Sequence, residues 1–262
     1  MFSICLLLWQ SAFYLTCTVQ AKDKQVNKTA AAPQTISNRS LLLPYGVPYF
    51  AYVGIAVLAQ DRVPDEIRYL LKIIIVPLLL YWAWKWYVPL SGPLKTAGSV
   101  IYGIIFGVAG LAVWLVLLWP FVDLGGEPWS VSSFLLRLVA ASLIVPVFEE
   151  LFIRGYIFRV ALQWDQNRQV QGAGKALDTA LDRSHIKDVP PGAWSAAAIA
   201  ISTIAFTAGH TMVEWPAAIA YSLLISALWI IRKDLLSCVV AHGITNLGLA
   251  LYVYFTGQWG FW

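Results

Sequence analysis

The sequence predicts an all-α protein, a polytopic bundle of seven or eight transmembrane helices. Of the 262 residues, 59% are hydrophobic and only 12% are charged, and the mean hydropathy is +0.68. A soluble domain usually carries about 25% charged residues, so this chain has too little polar surface to stay in solution. Its apolar runs are long enough to cross a bilayer as helices. Many Trp and Tyr residues stand near the ends of these runs, where such amphipathic rings prefer to lie.

The apolar runs divide the chain into three parts. Residues 1–40 combine an apolar stretch at 2–19 with a polar stretch at 21–40 that has the composition of a flexible linker. The apolar stretch is a signal peptide, an uncleaved span or the product of a misassigned start, and the lack of a preceding Lys or Arg disfavours a signal peptide. Upstream transmembrane helices follow within 41–128, and 129–262 holds the remaining helices. The predicted spans are 41–59, 70–88, 98–120, 132–164, 193–210, 214–231 and 234–256.

One of these runs, 132–164, is too long for a single crossing at about 1.5 Å per residue. We expect Pro146 to kink or break it and 149–164 to be the membrane-embedded half. Lys and Arg are concentrated in the segment 155–192, in the turn 232–233 and in the linker. The positive-inside rule therefore places 155–192 and 232–233 in the cytoplasm.

Charge and cysteine content exclude other classes of site. The net charge is +4, and no basic stripe with interleaved aromatic residues supports nucleic-acid binding. The three cysteines lie within apolar segments and form no C-x-x-C pair, so they indicate neither a disulfide framework nor a thiolate metal site.

Three short patterns place ionisable or hydrogen-bonding groups inside the apolar second half. They are Glu149-Glu150-x-x-x-Arg154, Phe206-x-x-x-His210 and His242-x-x-x-Asn246. Helical i,i+4 spacing puts the partners of each pattern on one helix face. Polar and ionisable groups are costly within a membrane and usually mark functional sites, so the patterns predict one buried polar site.

The two acids of the first pattern are expected to have different partners. Glu150 and Arg154 lie about 40° apart around a helix and are expected to form a neutralising ion pair. Glu149 points away from Arg154 and has no partner on its own helix. A carboxylate in low-dielectric surroundings suits a general base acting on water.

The other two patterns are ambiguous alone and informative together. His210 by itself is more simply a hydrogen-bonded core residue packed by Phe206. The pair His242 and Asn246 is either an interhelical hydrogen bond or a set of donors for an oxyanion. Together with Glu149, these groups meet the needs of amide hydrolysis, namely activation of water, stabilisation of the oxyanion and protonation of the leaving amine. No credible Ser or Cys nucleophile accompanies them, so direct attack by water is the predicted mechanism.

The three patterns resemble the motifs of the CPBP family of intramembrane proteases. That family covers CAAX prenyl endopeptidases and bacteriocin-processing or immunity proteins of the Abi type. The strings EELFIRG, FTAGH and HGITN match its EExxxR, FxxxH and Hxxx(N/D) motifs in order, over about residues 130–255. The upstream stretch 41–120 resembles the CAAX-protease-related proteins found with exosortase systems in bacteria, which favours a multi-pass protein of the bacterial inner (cell) membrane.

The resemblance implies that 129–262 is a CPBP-like catalytic core. Its partners would be the lipid bilayer and a membrane-delivered protein or peptide substrate, with or without a lipid modification. The implied reaction is CAAX-type C-terminal processing or removal of a propeptide. Two alternatives stay open, a catalytically inactive immunity or binding protein on the same fold and a transporter with a proton relay.

The resemblance also implies a role for each motif residue. Glu149 would activate water with help from His210, and His242 and Asn246 would hold the oxyanion. The second glutamate of the first motif and Arg154 would support the site as an ion pair.

A zinc ion is an open alternative to this mechanism. The family is often named a metalloprotease, and Glu149, His210 and His242 are the set that would ligate zinc if one is used. No H-E-x-x-H pair is present, and the metal-independent glutamate mechanism is favoured.

Overall fold

A computed structural model describes residues 36–122 and 125–262. The apolar stretch at 2–19 and nearly all of the polar stretch that follows lie outside the described residues. Every regular element in the described parts is helical. Six of these helices are long and apolar enough to cross a membrane. The prediction of an all-α, multi-pass membrane protein is therefore confirmed.

The helices are numbered here in chain order. The long ones are α1 (Asn38–Leu58), α2 (Asp65–Ala83), α3 (Thr96–Leu118), α4 (Val131–Gln171), α7 (Trp215–Arg232) and α8 (Leu235–Thr256). The short ones are α5 (Ala173–Asp178) and α6 (Ala196–Thr207). Single 3₁₀ turns lie at Trp84–Trp86, Trp119–Phe121, Ile186–Asp188, Met212–Glu214 and Trp259–Phe261, and a π-helical turn at Thr179–Arg183.

Helix α6 is shorter than the span predicted at 193–210. It has 12 residues, or about 18 Å at 1.5 Å per residue, against a hydrocarbon core of about 30 Å. Ser195 caps its start by accepting a hydrogen bond from the Ala198 amide. The helix ends at Thr207, so His210 stands in the turn that follows.

Helix α4 runs unbroken for 41 residues, so the predicted break at Pro146 is wrong. Two π-helical stretches, Ala140–Ile144 and Leu151–Ile157, flank the proline. The wider turn lets the Val145 amide donate to the Ala140 carbonyl. Residues before Glu149 pack against α2 and α8, so the embedded part of α4 does not begin at Glu149 as predicted. At about 60 Å, α4 is longer than the membrane is thick, so part of this helix projects beyond the membrane.

The start of α1 lies within the stretch predicted as a linker. Asn38 is fully buried, and its side-chain amide donates to Gln163 Oε1 at 2.9 Å and to the Ala180 carbonyl at 2.7 Å. Its Oδ1 accepts from the Ile186 amide at 2.8 Å. These bonds tie α1 to the end of α4 and to the segment that follows α4.

Helix α8 packs closely along α3 because α3 presents small residues to it. A Cβ added at Gly103 would lie 2.7 Å from Val240 Cβ, and one at Gly107 would lie 2.6 Å from Ile244 Cβ. Small residues allow this close approach of helices in membranes. The contact fixes the position of α8, which carries the third motif.

The two ends of the bundle differ in charge. The basic end comprises the start of α1 and the segments 84–95, 159–195 and 232–235. The far end comprises 59–64, 119–122, 125–130, 208–214 and 257–262. Ten described basic residues belong to the basic end: Arg39, Lys85, Lys95, Arg159, Arg168, Lys175, Arg183, Lys187, Arg232 and Lys233. Four lie at or towards the far end: Arg62, Arg68, Lys72 and Arg137.

Candidate active site

A cavity of about 490 Å³ lies among α2, α3, α4, α7 and α8. Its size is within the range of small-ligand and substrate sites. Four of the six predicted site residues line it, namely Glu149, His210, His242 and Asn246. From these residues the cavity extends towards the far end of the bundle, where Thr211, Glu214 and Trp262 line it.

Glu149 stands on α4 with its side chain 16% exposed. Its Oε2 is 3.8 Å from His242 Nε2. That separation is longer than a direct hydrogen bond, and a water molecule can hydrogen-bond to both atoms. Glu149 is therefore placed to receive a proton from a water held against His242.

Glu150 and Arg154 form the predicted ion pair behind the cavity wall. Both side chains are fully buried, and Arg154 Nη1 is 3.5 Å from Glu150 Oε1. Arg154 Nη2 also donates to the hydroxyl of Ser222 at 2.9 Å and to its carbonyl at 3.2 Å. The pairing supplies each buried charge with a partner, as a low-dielectric interior requires.

His242 joins the two glutamates. Its Nδ1 is 3.0 Å from Glu150 Oε1, and because a carboxylate accepts, Nδ1 carries the proton. The other ring nitrogen, Nε2, faces Glu149. A carboxylate that fixes the tautomer and orientation of a histidine in this way is common behind reactive or ligating imidazoles.

His210 is oriented by a backbone group instead. Its Nδ1 lies 2.9 Å from the Phe206 carbonyl oxygen, which can only accept, so Nδ1 is again the protonated nitrogen. The ring packs against Phe206 at 4.6 Å and Trp114 at 5.5 Å between centroids. The turn after it is held by a capping box in which Thr211 and Glu214 bond reciprocally.

Asn246 has a structural bond as well as a place in the cavity. Its Nδ2 donates to the Ala141 carbonyl at 2.8 Å. In the π-helical stretch that carbonyl would be bonded by the amide of residue 146, and Pro146 has no N–H to give. One of the two N–H groups and the Oδ1 of Asn246 therefore remain for a ligand.

The described residues contain no assembled set of ligands for a zinc ion. Glu149, His210 and His242 all face the cavity, but residues 36–122 and 125–262 contain no group of three or more His, Cys, Asp or Glu side chains placed to share an ion.

Sequence analysis missed several residues that shape the cavity. Tyr221 is buried at its wall, with its ring centroid 5.7 Å from that of His242. Lys72 and Arg137 line its outer part. A signal for the two cations was available, since each stands alone in an apolar run, and lone basic residues in membrane spans usually have a function.

Comparison with known proteins identifies the second half of the chain. Residues 131–248 match the family model described as Rce1-like, type II CAAX prenyl endopeptidase. No curated protein matches the chain. No solved structure matches it either. The matched segment contains all three motifs. The match supports the assignment to the CPBP family of CAAX-type proteases that the three motifs predicted.

Proposed function

We propose that this protein is an intramembrane endopeptidase that hydrolyses a peptide bond of a membrane-delivered protein or peptide, with Glu149 as the general base. The observation that carries the proposal is the convergence of Glu149 and His242 within 3.8 Å in the wall of one cavity. The family match supports the reaction class.

The mechanism follows from the protonation of these groups. Glu149 takes a proton from water, and the water oxygen bonds to the carbonyl carbon of the scissile peptide. The remaining N–H of Asn246 stabilises the oxyanion that forms, and the unprotonated Nε2 of His210 assists Glu149 as a hydrogen-bond acceptor for the water. When the C–N bond breaks, the proton held by Glu149 passes to the amine nitrogen. This transfer returns Glu149 to its carboxylate form. While Glu149 holds the proton, the Nε2 of His242, which Glu150 orients, can share it.

The direction of entry follows from the shape of the bundle. The cavity extends from Glu149 to the far end, which is the end poorer in basic residues. The positive-inside rule places the basic end in the cytoplasm. The substrate therefore reaches the site from the side of the membrane opposite the cytoplasm.

A comparison of membrane proteins from cells tests the proposal. Cells lacking the protein are complemented with wild type, with Glu149→Gln or with Glu127→Gln, and peptide termini are compared by mass spectrometry. We expect at least one species to gain mass on deletion and to return to its processed mass with wild type. Glu127 is exposed and lies outside the cavity, so Glu127→Gln should rescue processing, whereas Glu149→Gln should not.

The alternatives give different outcomes. Rescue of the processed species by Glu149→Gln would rule out this chemistry. If both Gln variants restore a cellular function that involves no change of mass, the protein is a binding or immunity protein on the same fold.

A further inference from the structure

The outer part of the catalytic cavity contains a buried lysine. Lys72 stands on α2 and is 4% exposed. Its Nζ lies 4.3 Å from the ring centroid of Tyr52 and 4.6 Å from that of Tyr69. These ring faces stabilise an ammonium group without neutralising its charge.

A second cation lies in the same part of the cavity. Arg137 stands on α4, and its guanidinium carbon is 4.6 Å from the ring centroid of Trp129 and 4.5 Å from that of Trp262. Like Lys72, it is held by aromatic faces and lines the cavity. The outer cavity therefore carries two positive charges held in the same way.

The nearby acids are engaged elsewhere. No carboxylate of the described residues lies within 4.0 Å of the charged nitrogens of Lys72 or Arg137. Asp65 pairs with the arginine one turn along α2, and Glu66 accepts hydrogen bonds from three serine hydroxyls near the start of α4. Glu214 is held in its capping box. Lys72 is buried and Arg137 is half-buried. Cations in such positions without a paired anion indicate a place for an anionic ligand, because unpaired charge is costly away from water.

The two cations lie a few residues of extended peptide away from Glu149. Arg137 precedes Glu149 on one continuous helix by about 18 Å at 1.5 Å per residue. Lys72 is nearer, because the Tyr52 ring it contacts is 5.1 Å from the ring of Phe148. An extended chain covers about 3.4 Å per residue, so about three to five residues bridge the gap.

We propose that Lys72 and Arg137 form a carboxylate-binding subsite that holds the C-terminal α-carboxylate of the peptide substrate, a few residues beyond the scissile bond. The inference rests on the proposed endopeptidase function. A peptide that enters this cavity by its C-terminus necessarily brings one negative charge, and the two cations offset it. The subsite would select free C-termini over internal segments of a chain.

The test uses the full-length protein in vesicles of neutral phosphatidylcholine. The probe is a myristoylated ten-residue peptide of Ala, Val and Leu with a fluorophore near its lipid end, made with a free C-terminal carboxylate and as the C-terminal amide. Binding is measured on the Glu149→Gln protein, so that the result does not depend on cleavage. We expect the acid to bind on the order of 10- to 100-fold more tightly than the amide.

Variants identify the residues responsible. Lys72→Met or Arg137→Gln should reduce the preference for the acid at least severalfold, with little effect on the amide. Lys72→Arg keeps the charge and should retain most of the preference. Arg62→Gln removes an exposed charge at the same end outside the cavity and should leave the preference unchanged.

Each other outcome decides a separate question. Equal binding of acid and amide overturns the subsite, as does a preference that persists in Lys72→Met and Arg137→Gln. If binding instead depends on these residues only in vesicles containing phosphatidylglycerol, the cations hold a lipid phosphate and the proposal is wrong. Failure of the wild type to process any species in cells, with a charge-dependent preference intact here, rejects the endopeptidase function and leaves the carboxylate site standing.

Discussion

The two cavity histidines are oriented by different acceptors at Nδ1, a carboxylate for His242 and a backbone carbonyl for His210. Both therefore present Nε2 to the cavity. Only His242 is joined to a group that can exchange a proton with it. We infer that His242 takes part in proton transfer with Glu149 and that His210 acts as a fixed hydrogen-bond acceptor.

Substitutions of the adjacent Glu149 and Glu150 are predicted to have unequal effects on stability. Glu150→Gln leaves the buried Arg154 charge uncompensated and should cost about 3–5 kcal/mol of folding free energy. Glu149 pairs with no Lys or Arg of the described residues, so Glu149→Gln should change stability by less than about 1 kcal/mol. Thermal unfolding of the purified variants in detergent measures both. Equal losses would show that the division of roles between the two acids is wrong.

Residue types at the site were predictable because helical spacing alone brings Glu150 to Arg154. The distances between side chains on different helices were not predictable from the sequence. Nothing in the sequence shows that Asn246 donates one N–H to the Ala141 carbonyl, because that bond exists only where α8 crosses the π-helical stretch of α4. The positions of Lys72 and Arg137 in the same cavity as Glu149 are likewise a result of packing.

At the scale of helices, the contact between α3 and α8 places the third motif. Gly107→Ala would put a Cβ 2.7 Å from the Ala241 carbonyl oxygen, one residue before His242. The helices must separate, so we expect a loss of about 1–3 kcal/mol of stability together with a loss of hydrolysis. Unfolding temperature and activity, measured on the same preparation, check this.

Gly54→Ala in α1 is the matched control, because a Cβ there meets nothing within 4 Å. It should be neutral or stabilising by up to about 1 kcal/mol. If both substitutions behave alike, close packing of α3 on α8 does not position the site.

Helix boundaries were predictable where apolar and polar residues contrast sharply. The predicted 234–256 and the observed Leu235–Thr256 differ by one residue at the start. Prediction failed at α4, because Pro146 is accommodated by π-helical turns that no local pattern reveals. It also failed at Asn38. This polar residue stands in a polar stretch of sequence, yet its side chain is buried and makes three hydrogen bonds to distant segments.

For the whole molecule, charge asymmetry predicts that the cavity opens away from the cytoplasm. Single cysteines at Gln60 of the far end and Val170 of the basic end test this in a background lacking the native cysteines. In intact cells, a membrane-impermeant maleimide should label Gln60→Cys and leave Val170→Cys unlabelled until the membrane is permeabilised. The reverse labelling pattern would show that the cavity opens towards the cytoplasm.

The account depends most on Glu149 as the base that activates water. The decisive measurement is the cleavage rate, in proteoliposomes, of the species found to be processed in cells, by wild type and by Glu149→Gln. General-base removal should lower the rate by at least about 10²- to 10⁴-fold, with the unfolding temperature unchanged. Cleavage by Glu149→Gln at the wild-type rate would contradict the account.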